Sequence, residues 1–269
     1  MSRPAVPFLM YHAIGGERTD VDPVYTVTLE EFEQQMAYLR RAGFQTITMS
    51  QFLAWHGYGD PLPAKPILLT FDDGDPSHYE LVFPRLRQYG FCGLFAVVPS
   101  WIGTPRSFSV EQLRALQAAG MEIISHGLNH LPLTDLSLPQ LREELAVSKS
   151  RLEGWLGKQV KALAIPRGYC SLRVRQVAYE AGYQVIFTSR PDHNNRECDL
   201  FNLGRLPIRA NMRPEEFAGL VQAHPARRAL EMGSYLVRHS AQRLLGPKRY
   251  DRLRAFLLHL YAKGAPHHA

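Results

Sequence analysis

Two short segments carry the chemistry of this chain: Leu68-Leu69-Thr70-Phe71-Asp72-Asp73-Gly74 and Ile123-Ile124-Ser125-His126-Gly127-Leu128-Asn129-His130. Each is an apolar run that ends abruptly in groups able to bind a metal or move a proton. Adjacent carboxylates after one strand, with two imidazoles four residues apart after another, can supply an open site with one Asp and two His ligands. Such a site keeps room on a metal for water and substrate, as a hydrolytic metal requires.

The elements that must position these groups follow from periodicity. Short apolar runs predict strands at Pro7–Tyr11, Gln45–Thr48, Ile67–Phe71, Gly93–Val98, Met121–Ser125, Lys161–Ile165, Gln184–Thr188 and Arg205–Arg209. Helical spacing predicts helices at Leu29–Ala42, Tyr79–Tyr89, Val110–Ala119, Leu138–Leu156, Ser171–Ala181 and Pro214–Gln222, with Thr28 and Ser109 as N-caps. Four of the helices end in a glycine followed directly by the next strand (Gly43, Gly90, Gly120, Gly182), the punctuation of repeated βα units and a parallel sheet. Seven or eight such units within about 220 residues point to an α/β fold, a distorted or incomplete (β/α) TIM-like barrel. In barrels the chemistry sits beyond the C-terminal ends of the strands. Tyr11-His12, Asp72-Asp73, His126 and Arg167 all fall there.

Composition sets the outer limits. The 269 residues, 45% hydrophobic and 21% charged, suit an ordinary globular protein, and no apolar run reaches the eighteen or so residues of a membrane span. Met1–Met10 reads as a first strand rather than a signal peptide. Cys92, Cys170 and Cys198 are odd in number and lack metal-ligand spacing, which suggests reduced thiols in a cytoplasmic protein. The net charge of +6 is uneven: Pro225–Ala269 carries +7 and the rest −1. The expected organisation is a catalytic domain over residues 1–224 and a basic helical extension over 225–269, with helices at Leu230–Leu245 and Lys248–Tyr261.

The motifs resemble those of the NodB-like polysaccharide deacetylases, carbohydrate esterase family 4. Thr70–Gly74 matches the family's T-F-D-D-G. His126-Gly127-Leu128-Asn129-His130 matches H-[ST]-x-x-H with Gly in the Ser/Thr place, and Pro166-Arg167-Gly168 matches P-x-G. The resemblance covers about residues 5–218. It implies that Asp73, His126 and His130 bind a divalent metal, Zn2+ first, with Co2+, Ni2+ or Fe2+ able to use the same residues. It implies further that Asp72 is the general base, and that Tyr11, Pro166, Gly168 and Tyr169 line the substrate site. The chain departs from the family in two places. Ala164 stands where the family has an Arg that orients the base, and Arg167 is the candidate to reach Asp72 instead. The late L-x-H that supplies the general acid has no match, which leaves His12, His193 and His224, with His12 best placed. His78 reads as a surface residue and Cys170 as a packing residue.

The implied activity is metal-dependent removal of N-acetyl groups from a GlcNAc-type poly- or oligosaccharide in bacterial surface polysaccharide biosynthesis. Alternatives are deformylation or other deacylation of a lipid-linked amino sugar, and a non-catalytic metal-containing glycan-binding module. A protein-interaction scaffold is a more distant rival. The basic C-terminal segment suggests peripheral contact with an anionic membrane surface at the cytoplasmic face. No nucleic-acid motif accompanies its charge.

Overall fold

The computed structural model describes residues 5–16, 22–246, 249–250 and 253. The described residues form ten strands: β1 (Ala5–Val6), β2 (Phe8–Tyr11), β3 (Gln45–Thr46), β4 (Pro66–Phe71), β5 (Leu94–Val97), β6 (Glu122–Ser125), β7 (Ala162–Ala164), β8 (Val185–Phe187), β9 (Asn194–Asn195) and β10 (Leu206–Pro207). The helices are α1 (Leu29–Arg41), α2 (Met49–Tyr58), α3 (Phe83–Tyr89), α4 (Val110–Ala118), α5 (Leu138–Leu156), α6 (Leu172–Glu180), α7 (Pro214–Val221) and α8 (Pro225–Leu245). A parallel sheet runs in the order β10-β2-β4-β5-β6-β7-β8, and β3 adds to β4. The curled parallel sheet, with its connecting helices, is the distorted (β/α) barrel that the βα punctuation predicts.

Strand parity explains how the barrel is packed. Along β2 and β4, Leu9, Tyr11, Leu69 and Phe71 join one apolar cluster with residues of α1, α3, α4, α5 and α6. Their neighbours Phe8 and Leu68 join a second cluster with Leu94, Ala96, Ile124, Ala162, Ala164, Val185 and Phe187, the inward side chains of the sheet. Strands buried on both faces must be apolar throughout, and Ile67, Leu68, Leu69 and Phe71 are all fully buried. The same alternation carries Thr70 and Asp72, and His126 beyond Ile124, to the inner side of the barrel.

One element was absent from the sequence-based expectation. The Thr48 hydroxyl accepts the Gln51 N–H, and the Gln51 side chain accepts the Thr48 N–H. This capping box starts α2 directly after the strand predicted for Gln45–Thr48, which ends at Thr46. Phe52 and Trp55 of α2 belong to the inner cluster, Phe52 lying edge-on to Phe8 at 4.8 Å. Met49 N–H donates to Glu122 at the start of β6, so α2 closes the end of the barrel opposite the predicted site.

The chain divides into two compact units, Met1–Arg228 and Ala229–Ala269. In the second, α8 exposes Leu230, Leu236, Val237 and Leu244. The further helix predicted for Lys248–Tyr261 falls largely outside the described residues. Among these, no helix is long and apolar enough to cross a membrane.

Candidate active site

β4 ends in a turn that splits two adjacent carboxylates between two tasks. Asp73 has φ 76° and Gly74 φ 67°. Two successive left-handed residues turn the chain so that the two carboxyl groups take different surroundings. Glycine is needed at 74, where a Cβ would come within 3.0 Å of Ser107 Oγ, the hydroxyl that donates to the Gly74 carbonyl at 2.7 Å.

Asp73 faces the histidines. Its Oδ1 lies 3.3 Å from His126 Nε2 and 3.2 Å from His130 Nε2, and it has no hydrogen-bond partner. The donor atoms of these three residues all lie within 4.8 Å of one another. Bonds of about 2.0–2.1 Å in a tetrahedron separate ligand atoms by roughly 3.3 Å, so the carboxylate–imidazole spacings fit a divalent metal. His126 is prepared for this role: its Nδ1–H donates to the Ala164 carbonyl at 2.8 Å, which leaves the Nε2 lone pair for a metal. Ala164, standing in the place of the family's arginine, therefore serves the site through its backbone. His130 is flanked by Trp101 at 5.2 Å, and the Arg106 guanidinium stacks on that indole at 3.8 Å.

Asp72 faces the other way and is gripped by an arginine. Arg205 Nη1 and Nη2 donate to Asp72 Oδ1 and Oδ2 at 2.6 and 2.8 Å, a bidentate pair with side-chain exposures of 0% and 2%. Arg205 also donates to Thr70 Oγ1 at 3.2 Å and to the Thr188 carbonyl at 3.1 Å. Burial, the largest single influence, raises the carboxyl pKa of Asp72, but the Arg205 guanidinium together with His126 and His12 outweighs it and holds Asp72 below the ordinary range. The Asp73 pKa lies well below the ordinary range: burial pushes it up, and its contacts with His126 and His130 more than offset that. His126 is pushed down by burial and pulled up further by Asp72 and Asp73, for a net rise.

The structure corrects several expectations. The guanidinium on Asp72 belongs to Arg205; Arg167 is exposed in the turn Pro166–Gly168, with φ 60°. Arg205 opens the predicted strand Arg205–Arg209 and precedes β10, so it does not stand beyond a strand's C-terminal end, where site residues are expected. Tyr11 is not part of a substrate surface. Its ring is fully buried, stacked on Phe71 at 5.4 Å, and its hydroxyl donates to Gln35. Strand parity sends Tyr11 to the helix side of the sheet.

His12, the next residue, lies on the site side. The charged groups acting on it include Asp73, Asp72, Arg205 and His126, and its ring packs on Tyr25 at 5.0 Å. Burial lowers its pKa, and the two carboxylates only partly restore it. His193 is buried by the end of α7 beside Arg228, and His224 is exposed just after that helix. Neither is among the main charged groups acting on Asp72 or Asp73. His78 is fully buried rather than on the surface: it lies against Phe71 and Phe95, and its Nε2–H donates to the His12 carbonyl at 2.8 Å. Pro166 packs beside Gly127, Gly168 against Ser189, and Tyr169 is half-buried after the turn.

Comparison with known proteins agrees with this geometry. The family model for polysaccharide deacetylase matches residues 59–186. YxkH of Bacillus subtilis (strain 168), named for the same family, is 28% identical over 222 residues, 82% of this chain and 78% of its own length. The poly-beta-1,6-N-acetyl-D-glucosamine N-deacetylase of Escherichia coli (strain K12) is 35% identical over 103 residues. That match spans 38% of this chain and only 15% of the Escherichia coli protein. The crystal structure of BC0361, a polysaccharide deacetylase from Bacillus cereus, superimposes with a TM-score of 0.73 at 25% identity. It covers 81% of this chain and 69% of that one. Over residues 59–186, which hold the T-F-D-D-G and histidine motifs brought together on one barrel rim, the chain matches the polysaccharide deacetylase family.

Proposed function

We propose that this chain is a divalent-metal-dependent N-deacetylase acting on N-acetylglucosamine units of a poly- or oligosaccharide. One observation carries the reading: a buried, arginine-held carboxylate, Asp72, stands beside a second carboxylate and two histidines whose donor atoms are spaced for a metal. The name of the Escherichia coli relative supports the substrate class. The reading of a non-catalytic module rests on the absent late L-x-H and on Ala164 in place of the family's arginine; Arg205 gives Asp72 a partner and so answers the second ground.

Asp73, His126 and His130 would hold the ion, with zinc suited to the donor set. When bound, a divalent ion polarises the acyl carbonyl and lowers the pKa of a water from about 15.7 towards ~7. Asp72 takes the proton from the attacking water; Arg205 keeps it ionised and aims its two oxygens. The amine cannot depart as an anion, so it must be protonated as the C–N bond breaks. His12, beside both carboxylates, is assigned as that donor.

The test is acetate release from N-acetylglucosamine oligomers, measured with metal content. Wild-type protein is expected to release acetate, to lose activity on chelation and to regain it with zinc, while His126→Ala binds no metal and stays inactive. Acetate release indifferent to chelation would rule out the metal-dependent reading. Bound metal without acetate release would redirect the search to another acyl group or a lipid-linked acceptor.

The pH profile tests the proton assignments. Asp72 acts as base in its ionised form and its pKa is held below the ordinary 3.8, so the acid limb should lie below that value. His12 acts as acid in its protonated form and its pKa is lowered from 6.5, so the basic limb should lie at or below 6.5. A bound cation lowers both further and leaves the signs unchanged. A basic limb far above 6.5, retained in His12→Asn, would remove His12 from the donor role.

A further inference from the structure

The loop carrying the two histidines is gripped by α5. Glu144 Oε1 accepts the Asn129 backbone N–H at 2.6 Å, and Oε2 accepts the Asn129 Nδ2–H at 2.9 Å. Four residues further along, Ser148 Oγ lies 2.7 Å from Ser125 Oγ, which accepts the Gly127 N–H at 3.2 Å. One face of α5 therefore holds the segment both before His126 and before His130. Glu144 is 3% exposed, a burial that a carboxylate tolerates only when hydrogen-bond donors satisfy it.

We propose that Glu144 is a positioning residue that fixes His130 relative to His126 through Asn129 and thereby sets metal affinity. Three observations converge. His130 sits at φ 58°, a left-handed conformation that a non-glycine residue keeps only when its surroundings impose it. Its chain neighbour Asn129 gives both its backbone and its side-chain donors to Glu144. Gly127, at φ 74°, occupies the place where the family motif has Ser or Thr, and a Cβ there would come within 3.1 Å of Glu144 Oε1. The carboxylate from α5 fills the space that a side chain at position 127 would need. The inference rests on Asp73, His126 and His130 being a metal site; it does not depend on the substrate.

Glu144→Met keeps the approximate shape and offers Asn129 no carboxylate acceptor. Glu144→Gln is the conservative control: its oxygen can accept the Asn129 backbone N–H, and its NH2 can donate to Asn129 Oδ1 once that amide rotates. The experiment is zinc affinity, measured by competition with a chromogenic chelator, with circular dichroism of the metal-free proteins alongside. E144M is expected to bind zinc about 10–100-fold more weakly, and E144Q to stay close to wild type. E144M binding zinc as tightly as wild type, or E144Q as weakly as E144M, overturns the proposal. If E144M does not fold without metal, Glu144→Asp, whose carboxylate stops one methylene short of Asn129, takes its place with the same two outcomes. Wild-type protein that binds no zinc overturns the metal-site reading as well, which separates the two failures.

Discussion

Asp72→Asn is expected to keep the metal and lose the reaction. Asp72 is not among the three residues whose donor atoms cluster for a metal. Its two oxygens are occupied by Arg205, and its Oδ2 stands 4.0 Å from His126 Nε2, close to the ion's place without belonging to its donor set. An amide keeps the volume and one acceptor but cannot take a proton from water near neutral pH. Loss of a positioned general base costs about 10²–10⁴-fold in turnover. The measurement is acetate release and metal stoichiometry on the same preparation. Full metal with turnover reduced at least a hundredfold assigns Asp72 as base; full metal with turnover near wild type removes it from that role. Asp73→Asn gives the contrasting result, since it weakens the metal site itself.

Breaking the Arg205–Asp72 pair is expected to have the largest effect on stability. Arg205→Met leaves a carboxylate that is 2% exposed without its partner, and removing one member of a buried ion pair costs about 3–5 kcal/mol. That is a large fraction of a typical domain stability of about 5–15 kcal/mol. Arg205→Met/Asp72→Asn removes both charges and is expected to regain more than half of the loss while remaining inactive. Urea unfolding of the metal-free proteins at neutral pH measures the coupling; additive single effects would mean that the pair is not an energetic unit. The pH sign follows from Asp72. Its folded pKa is depressed, so the pair's contribution is complete above the unfolded carboxyl value of about 3.9 and is lost as pH falls through the lower folded value.

What the sequence determined by itself was local. Asp72, Asp73, His126 and His130 were legible because a strand's end and a four-residue spacing fix where such groups point, whatever the rest of the chain does. The βα order was legible from glycines after helices and from apolar runs too short for anything but buried strands. Even the separation of Tyr11 from His12 lay within reach, because alternation along a strand sends neighbours to opposite faces; the sequence reading assigned both to the site. The capping box of α2, Thr48 to Gln51, was a further local signal that the apolar spacing obscured.

Only the tertiary structure decided the rest. The arginine that holds the Asp72 carboxylate lies 133 residues away in sequence and comes before its strand rather than after it. No local pattern distinguishes it from the exposed arginines of the same chain. The carboxylate that grips the histidine loop lies within a long helix, one of several acidic residues there, and acquires its role by facing Asn129 across the packing of α5 on β6. That His12 stands among the charged groups around Asp72 and Asp73, as its strand-end position favours, while His193 and His224 do not, follows from which loops the curled sheet brings together. Ligand identity is written in short-range spacing; the partners that set a ligand's charge and aim come from distant segments, and packing alone selects them.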